Sequence, residues 1–154
     1  MSGEYGTTIF CEDIRDEIGG KKTYVGVFGA DLIVKGSLPA IIPQFALAVT
    51  LLEPITTATG PLNIKIYLPG ATGDEVAMDI DLPIERSTAK SDPDFDPTAE
   101  FVGALLSFKI SPLVITNEGY IRVRAYKEGR EIRLGSLKVR VEKPDQSEEF
   151  SESS

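Results

Sequence analysis

Apolar residues along this chain come in short runs, and within many runs they alternate with polar ones. Ile121-Arg122-Val123-Arg124-Ala125-Tyr126 is the plainest case, and Ala77-Met78-Asp79-Ile80-Asp81-Leu82 is another. A two-residue period sends successive side chains to opposite faces of a strand. On this pattern strands are expected near 7–14, 22–28, 44–52, 62–68, 75–82, 101–110, 119–127 and 131–142, with a shorter extended piece near 31–35. No long window carries the 3.6-residue period of an amphipathic helix.

The residues between the runs are turn formers. Gly19-Gly20 permits the positive φ angles of a tight hairpin. Pro39 and Pro43 cannot donate to a strand ladder, so they bracket a crossing segment. Pro69-Gly70, Gly73-Asp74, Asn117-Glu118-Gly119 and Glu128-Gly129 mark further turns. Short strands with regular punctuation and no fixed-period repeat predict an all-β fold, a single-domain antiparallel β-sandwich of seven to nine strands spanning residues 1–143. Two segments differ. Residues 83–100, PIERSTAKSDPDFDPTAE, read as a long acidic loop, and residues 144–154, PDQSEEFSESS, as a disordered acidic tail.

Composition narrows the chemistry. A chain of 154 residues buries enough surface to fold without a metal or a disulfide. The sequence has no histidine and one cysteine, Cys11. That removes Ser-His-Asp and Cys-His nucleophile systems, His-based metal sites and thiolate clusters. No GxGxxG, P-loop or GxSxG motif occurs, so no cofactor is implied and no enzyme is expected. A single thiol fits a reducing compartment. The N-terminus lacks a basic region followed by an apolar run, and no apolar stretch is long enough to span a bilayer. The expected location is therefore the cytoplasm.

The formal charge of −8 argues against bulk nucleic-acid binding. It is unevenly spread. Residues 120–143 hold 8 basic and 3 acidic side chains, net +5, whereas 1–119 carry −9 and 144–154 carry −4.

The most acidic strand end is IFCEDIRDEIGGKK, residues 9–22. In strand register Thr8, Phe10, Glu12 and Ile14 share one face, while Ile9, Cys11 and Asp13 share the other. Glu12 and Asp13 therefore cannot chelate one ion together. Asp16 and Glu17 before the Gly-Gly turn face Lys21 and Lys22 after it, which is ordinary cross-strand pairing. Cys11 reads as a small buried hydrophobe.

The stretch IFCEDIRDEIGGKKTYVGVFG, the later LPAIIPQFALAVTLLEP and the hairpin GYIRVRAYKEGREIRLGSLKVRVE with its LGSL element together resemble a family of uncharacterised proteins from bacteria and their phages. The resemblance covers residues 7–52 and 119–142 and is loose between them. It implies a β-sandwich of bacterial or phage origin and brings no catalytic residue with it.

Three constellations remain. Asp92, Asp94 and Asp96 alternate in the acidic loop, a spacing that oxygen ligands for Ca²⁺ can use. The Gly and Glu of an EF-hand are absent and two prolines stiffen the backbone, so a solvated loop is the expectation and a calcium site the alternative. Asp79 and Asp81 share one face of a strand, as a glycosidase pair would, but any half-exposed strand shows that spacing.

The third is the C-terminal hairpin. A two-residue Glu128-Gly129 turn pairs Lys127 with Arg130, Tyr126 with Glu131 and Arg124 with Arg133, and places Arg122 beside Gly135. Lys138 and Arg140 extend the positive strand. Like charges opposed across strands are unfavourable unless neutralised. Either the protein's own acids supply the counter-charge (Asp79, Asp81 or the tail), or an anionic partner does. The site residues to follow are thus Arg122, Arg124, Arg133, Tyr126, Lys138 and Arg140. The expected function is a non-enzymatic protein-interaction module, acting through this hairpin or a free strand edge. The alternatives are a self-assembling subunit, such as part of a phage particle or a homo-oligomer, and a binder of a small phosphate-bearing ligand.

Overall fold

The structure is a computed structural model and describes residues 3–82, 98 and 100–142. The acidic tail, the calcium candidates Asp92, Asp94 and Asp96, and nearly all of the acidic loop lie outside the described residues.

Eleven strands are found among the described residues. In chain order they are β1 (Tyr5–Asp16), β2 (Lys22–Val27), β3 (Asp31–Lys35), β4 (Ala40–Ile42), β5 (Phe45–Pro54) and β6 (Leu62–Gly70). They continue as β7 (Gly73–Leu82), β8 (Phe101–Ile110), β9 (Leu113–Ile115), β10 (Gly119–Lys127) and β11 (Arg130–Glu142). The fold is the all-β sandwich that the alternation predicts. The additions to the expected nine are β4 and β9, which pair only with each other. At three residues each, they are too short to show a period.

One sheet has the order β2-β1-β5-β8 and the other β3-β11-β10-β6-β7. All pairings are antiparallel except β3 with β11, which is parallel. That exception follows from the chain crossing between sheets after β2. Phe10, Leu47, Val49 and Leu51 of the first sheet face Ile64, Ile66, Ile121, Val123, Leu134 and Leu137 of the second, in one buried cluster. Each such side chain contributes about 1.5–3 kcal/mol through removal from water.

The two sheets approach closely where β1 crosses β11. Thr8 Oγ1 donates to the Leu134 carbonyl at 2.8 Å. At Gly6, a Cβ would stand 2.2 Å from the Thr50 carbonyl oxygen and 2.8 Å from Leu134 Cδ2, so only glycine fits.

Alternation along β1 fails at one place. Ile14 packs with Cys11, Ala46 and Ala48, not with Phe10 as the two-residue period predicts. The ladder to β5 ends at Cys11 opposite Ala46, and beyond it β1 pairs with β2 alone. The break coincides with an irregular point of that two-stranded ribbon, where Gly26 lies at φ +64° beside Glu12.

Three acids of this strand end have polar partners. Asp16 pairs with Lys22 across the turn, Glu17 accepts from the Thr23 hydroxyl at 3.1 Å, and Asp13 meets Lys109 at 3.2 Å. Cys11 is fully buried, and burial pushes its thiol pKa up.

Candidate functional site: the arginine band

The outer face of the five-stranded sheet is laid out in rows by the strand registers. One row runs Arg133–Arg124–Lys65–Asp79 across β11, β10, β6 and β7. The next runs Glu131–Tyr126–Asn63–Asp81. On the other side lies Ser136–Arg122–Tyr67–Val76. Three cations therefore stand in line across the middle strands, with acids toward the β7 edge.

The expected pairs Lys127–Arg130, Tyr126–Glu131 and Arg124–Arg133 are all present. Arg122 is one residue away from its expected place, opposite Ser136 instead of Gly135. A β-bulge between Val123 and Arg124 is the cause. It is accommodated by Gly135 at φ +126°, a conformation side chains rarely adopt. The extra residue on β11 is Leu134, which is buried.

Of the expected counter-charges, the tail lies outside the described residues, and the two aspartates go elsewhere. Asp79 and Asp81 do not reach the arginines. Both accept hydrogen bonds from the side-chain amide of Asn63, and Asp79 also meets Lys65 at 3.6 Å. The Asn63 hydrogen bond, helped by Lys65, lowers the Asp79 pKa. The arginines turn to nearer acids instead. Arg122 donates to Asp74 at 2.7 Å. Glu131 is shared between Arg124 at 3.5 Å and Arg133 at 3.8 Å. Arg140 is held by Asp31 of β3 at 2.7 Å.

These contacts sort the six residues. Arg124 is 12% exposed and donates to the carbonyls of Val123 and Gly135, at 2.9 and 3.3 Å, so it braces the bulge. Arg133 is 82% exposed, and among the described residues its ion-pair contact is the long, shared one to Glu131. Arg122 lies over the Tyr120 ring at 5.4 Å. The Tyr126 hydroxyl bonds that of Tyr67 at 2.7 Å, and burial pushes its pKa well above the ordinary range. Lys138 lies exposed further along β11, between Tyr120 and Asp31 in the registers. Arg122, Arg124, Arg133, Tyr67, Tyr126, Asp74 and Glu131 together line an open hollow of about 350 Å³. Its three arginines and two acids leave it net positive.

Residue-by-residue reasoning on the hairpin missed one charged cluster. Lys127 is 1% exposed and reaches Glu53 at 3.1 Å, Glu4 at 3.3 Å and the Thr57 carbonyl. Arg130 grips both oxygens of Glu4, at 2.9 and 3.3 Å. Hydrogen bonds from Arg130 hold the Glu4 pKa down to about 2, against the opposing effect of burial. A signal was present in the sequence, because Lys127 shares the inward parity of Ile121, Val123 and Ala125. The cluster ties the N-terminus, the end of β5 and the last hairpin into one corner.

Among the described residues no group of three or more His, Cys, Asp or Glu side chains is placed to hold a metal ion. Among them also, no helix is long and apolar enough to cross a membrane. The chain belongs to a family of unknown function (DUF6941), whose family model matches residues 7–141. No curated protein and no solved structure matches it.

Proposed function

For this member of a family with no assigned activity, we propose a non-enzymatic protein-interaction module whose contact surface is the arginine band of β10 and β11. One observation carries the reading. Arg133 stands 82% exposed beside Arg124, and among the described residues the two share the carboxylate of Glu131. Directly opposed cations that share one described counter-charge favour an incoming anion. Their neighbours Arg122 and Lys138 extend the field along the same face. The partner surface is acidic protein. A bacterial or phage origin goes with the resemblance of the first strand and last hairpin. A cytoplasmic setting goes with the single buried thiol.

The test is a pull-down from host lysate at low salt, comparing the native chain with a variant carrying Arg122→Glu, Arg133→Glu and Lys138→Glu. Arg124 is left in place because it braces the bulge. A partner kept by the native chain and lost by the variant supports the band. Equal recovery by both moves the contact surface elsewhere.

The hollow among Arg122, Arg124 and Arg133 supports a second reading, a small phosphate-bearing ligand. In that case inorganic phosphate raises the melting temperature of the native chain and not of the variant.

A further inference from the structure

Among the described residues strand β8 is an edge of the four-stranded sheet, and it differs from the other three edges of the two larger sheets. Edge strands resist unwanted pairing by being short, charged, bulged or proline-bearing. β2 has six residues, with Lys22 at its start and Gly26 at φ +64°. β3 has five, with Asp31 and Lys35 at its ends. β7 carries Asp74, Glu75, Asp79 and Asp81, and its pairing with β6 is broken by a register shift. Of these devices β8 has a single charge, Lys109, near its end. It runs ten residues and pairs with β5 without a shift from Phe101 to Ile110.

Its inner face is apolar, and its outer face carries two exposed apolar side chains. Leu105 is 55% exposed on the outer side and Phe101 is 39% exposed. On the inner side Leu106, Phe108 and Ile110 pack against the core yet remain only partly buried. A long, unbroken edge strand with exposed apolar side chains is a template for pairing with another chain.

We propose that β8 pairs antiparallel with β8 of a second copy, about a two-fold axis at Leu105. The strand is self-complementary in that register. Leu105 faces Leu105, Gly103 faces Ser107, Ala104 faces Leu106 and Val102 faces Phe108. Lys109 falls opposite Phe101, an aromatic ring, and not opposite the other Lys109, so no like charges meet. The joined sheet has the order β2-β1-β5-β8-β8-β5-β1-β2, antiparallel throughout. This surface lies on the other sheet from the arginine band, so either inference can fail without the other.

The test is sedimentation velocity on the full chain and two variants, Leu105→Lys and Leu105→Glu, with circular dichroism to check that each folds. The native chain is expected to be dimeric at roughly 100 μM and to dissociate on dilution. Each variant alone is expected to be monomeric, because two like charges meet at the axis. An equimolar mixture of the two is expected to recover a dimer, since Lys then faces Glu. A native chain that is monomeric throughout overturns the proposal. So does a dimer that survives Leu105→Lys, or a mixture of folded variants that stays monomeric.

Discussion

At the scale of single residues, the corner built on Lys127, Glu4, Glu53 and Arg130 makes stability depend on pH. Glu4 titrates at about 2 in the folded chain, against 4.5 when unconstrained. A folded pKa below the unfolded one stabilises at pH values above the unfolded pKa, and the contribution disappears as pH falls. For Glu4 the loss falls between about pH 4.5 and pH 2 and amounts to about 3 kcal/mol. Chemical denaturation across that window checks it. Replacing Glu4 with Gln is expected to lower stability at neutral pH by about 3 kcal/mol, because Lys127 and Arg130 lose a counter-charge. The same variant should flatten the acid limb. An unchanged acid limb in Glu4→Gln would place the titrating group elsewhere.

At the scale of elements, much was legible in the sequence because period and punctuation agree. The last hairpin shows this best. Glu128 and Gly129 lie at φ 52° and 74°, as a two-residue turn of the hairpin type requires. The pairs next to the turn follow from counting outward. Counting fails beyond Val123 because a bulge changes the register without changing the alternation of exposed side chains that betrays a strand. Ile14 departs from the alternation for a related reason, since the irregular backbone at Gly26 beside Glu12 leaves no mark on the pattern of apolar positions. Glutamate is a poor residue for a left-handed turn position, so Glu128→Asn is expected to raise stability by about 0.5–1 kcal/mol. Thermal unfolding checks this, and a fall in melting temperature would show that the Glu128–Arg130 contact at 3.6 Å outweighs backbone strain.

At the scale of the molecule, the outer faces of the two sheets have different characters. The five-stranded face bears the cation row and its hollow. The four-stranded face exposes Tyr5, Ile9, Val27, Phe101 and Leu105. The cation row was visible in the hairpin sequence as far as Arg124 and Arg133. Its continuation to Lys65 was not, because the pairing of β6 with β10 joins segments some sixty residues apart. The counter-charges were misassigned for the same reason. Asp74 and Asp79 lie on one strand, and only the registers decide which of them reaches an arginine and which a lysine.

The band's role as a contact surface is tested most directly by titrating the isotopically labelled chain with a glutamate-rich peptide at low ionic strength and following the backbone amide shifts. Progressive, saturable shifts at Arg122, Arg124, Arg133 and Ser136, weakened by added salt and absent in Arg133→Glu, are the expected result. Shifts confined to the four-stranded sheet, or none up to about millimolar peptide, would contradict an anion-recognising surface on β10 and β11.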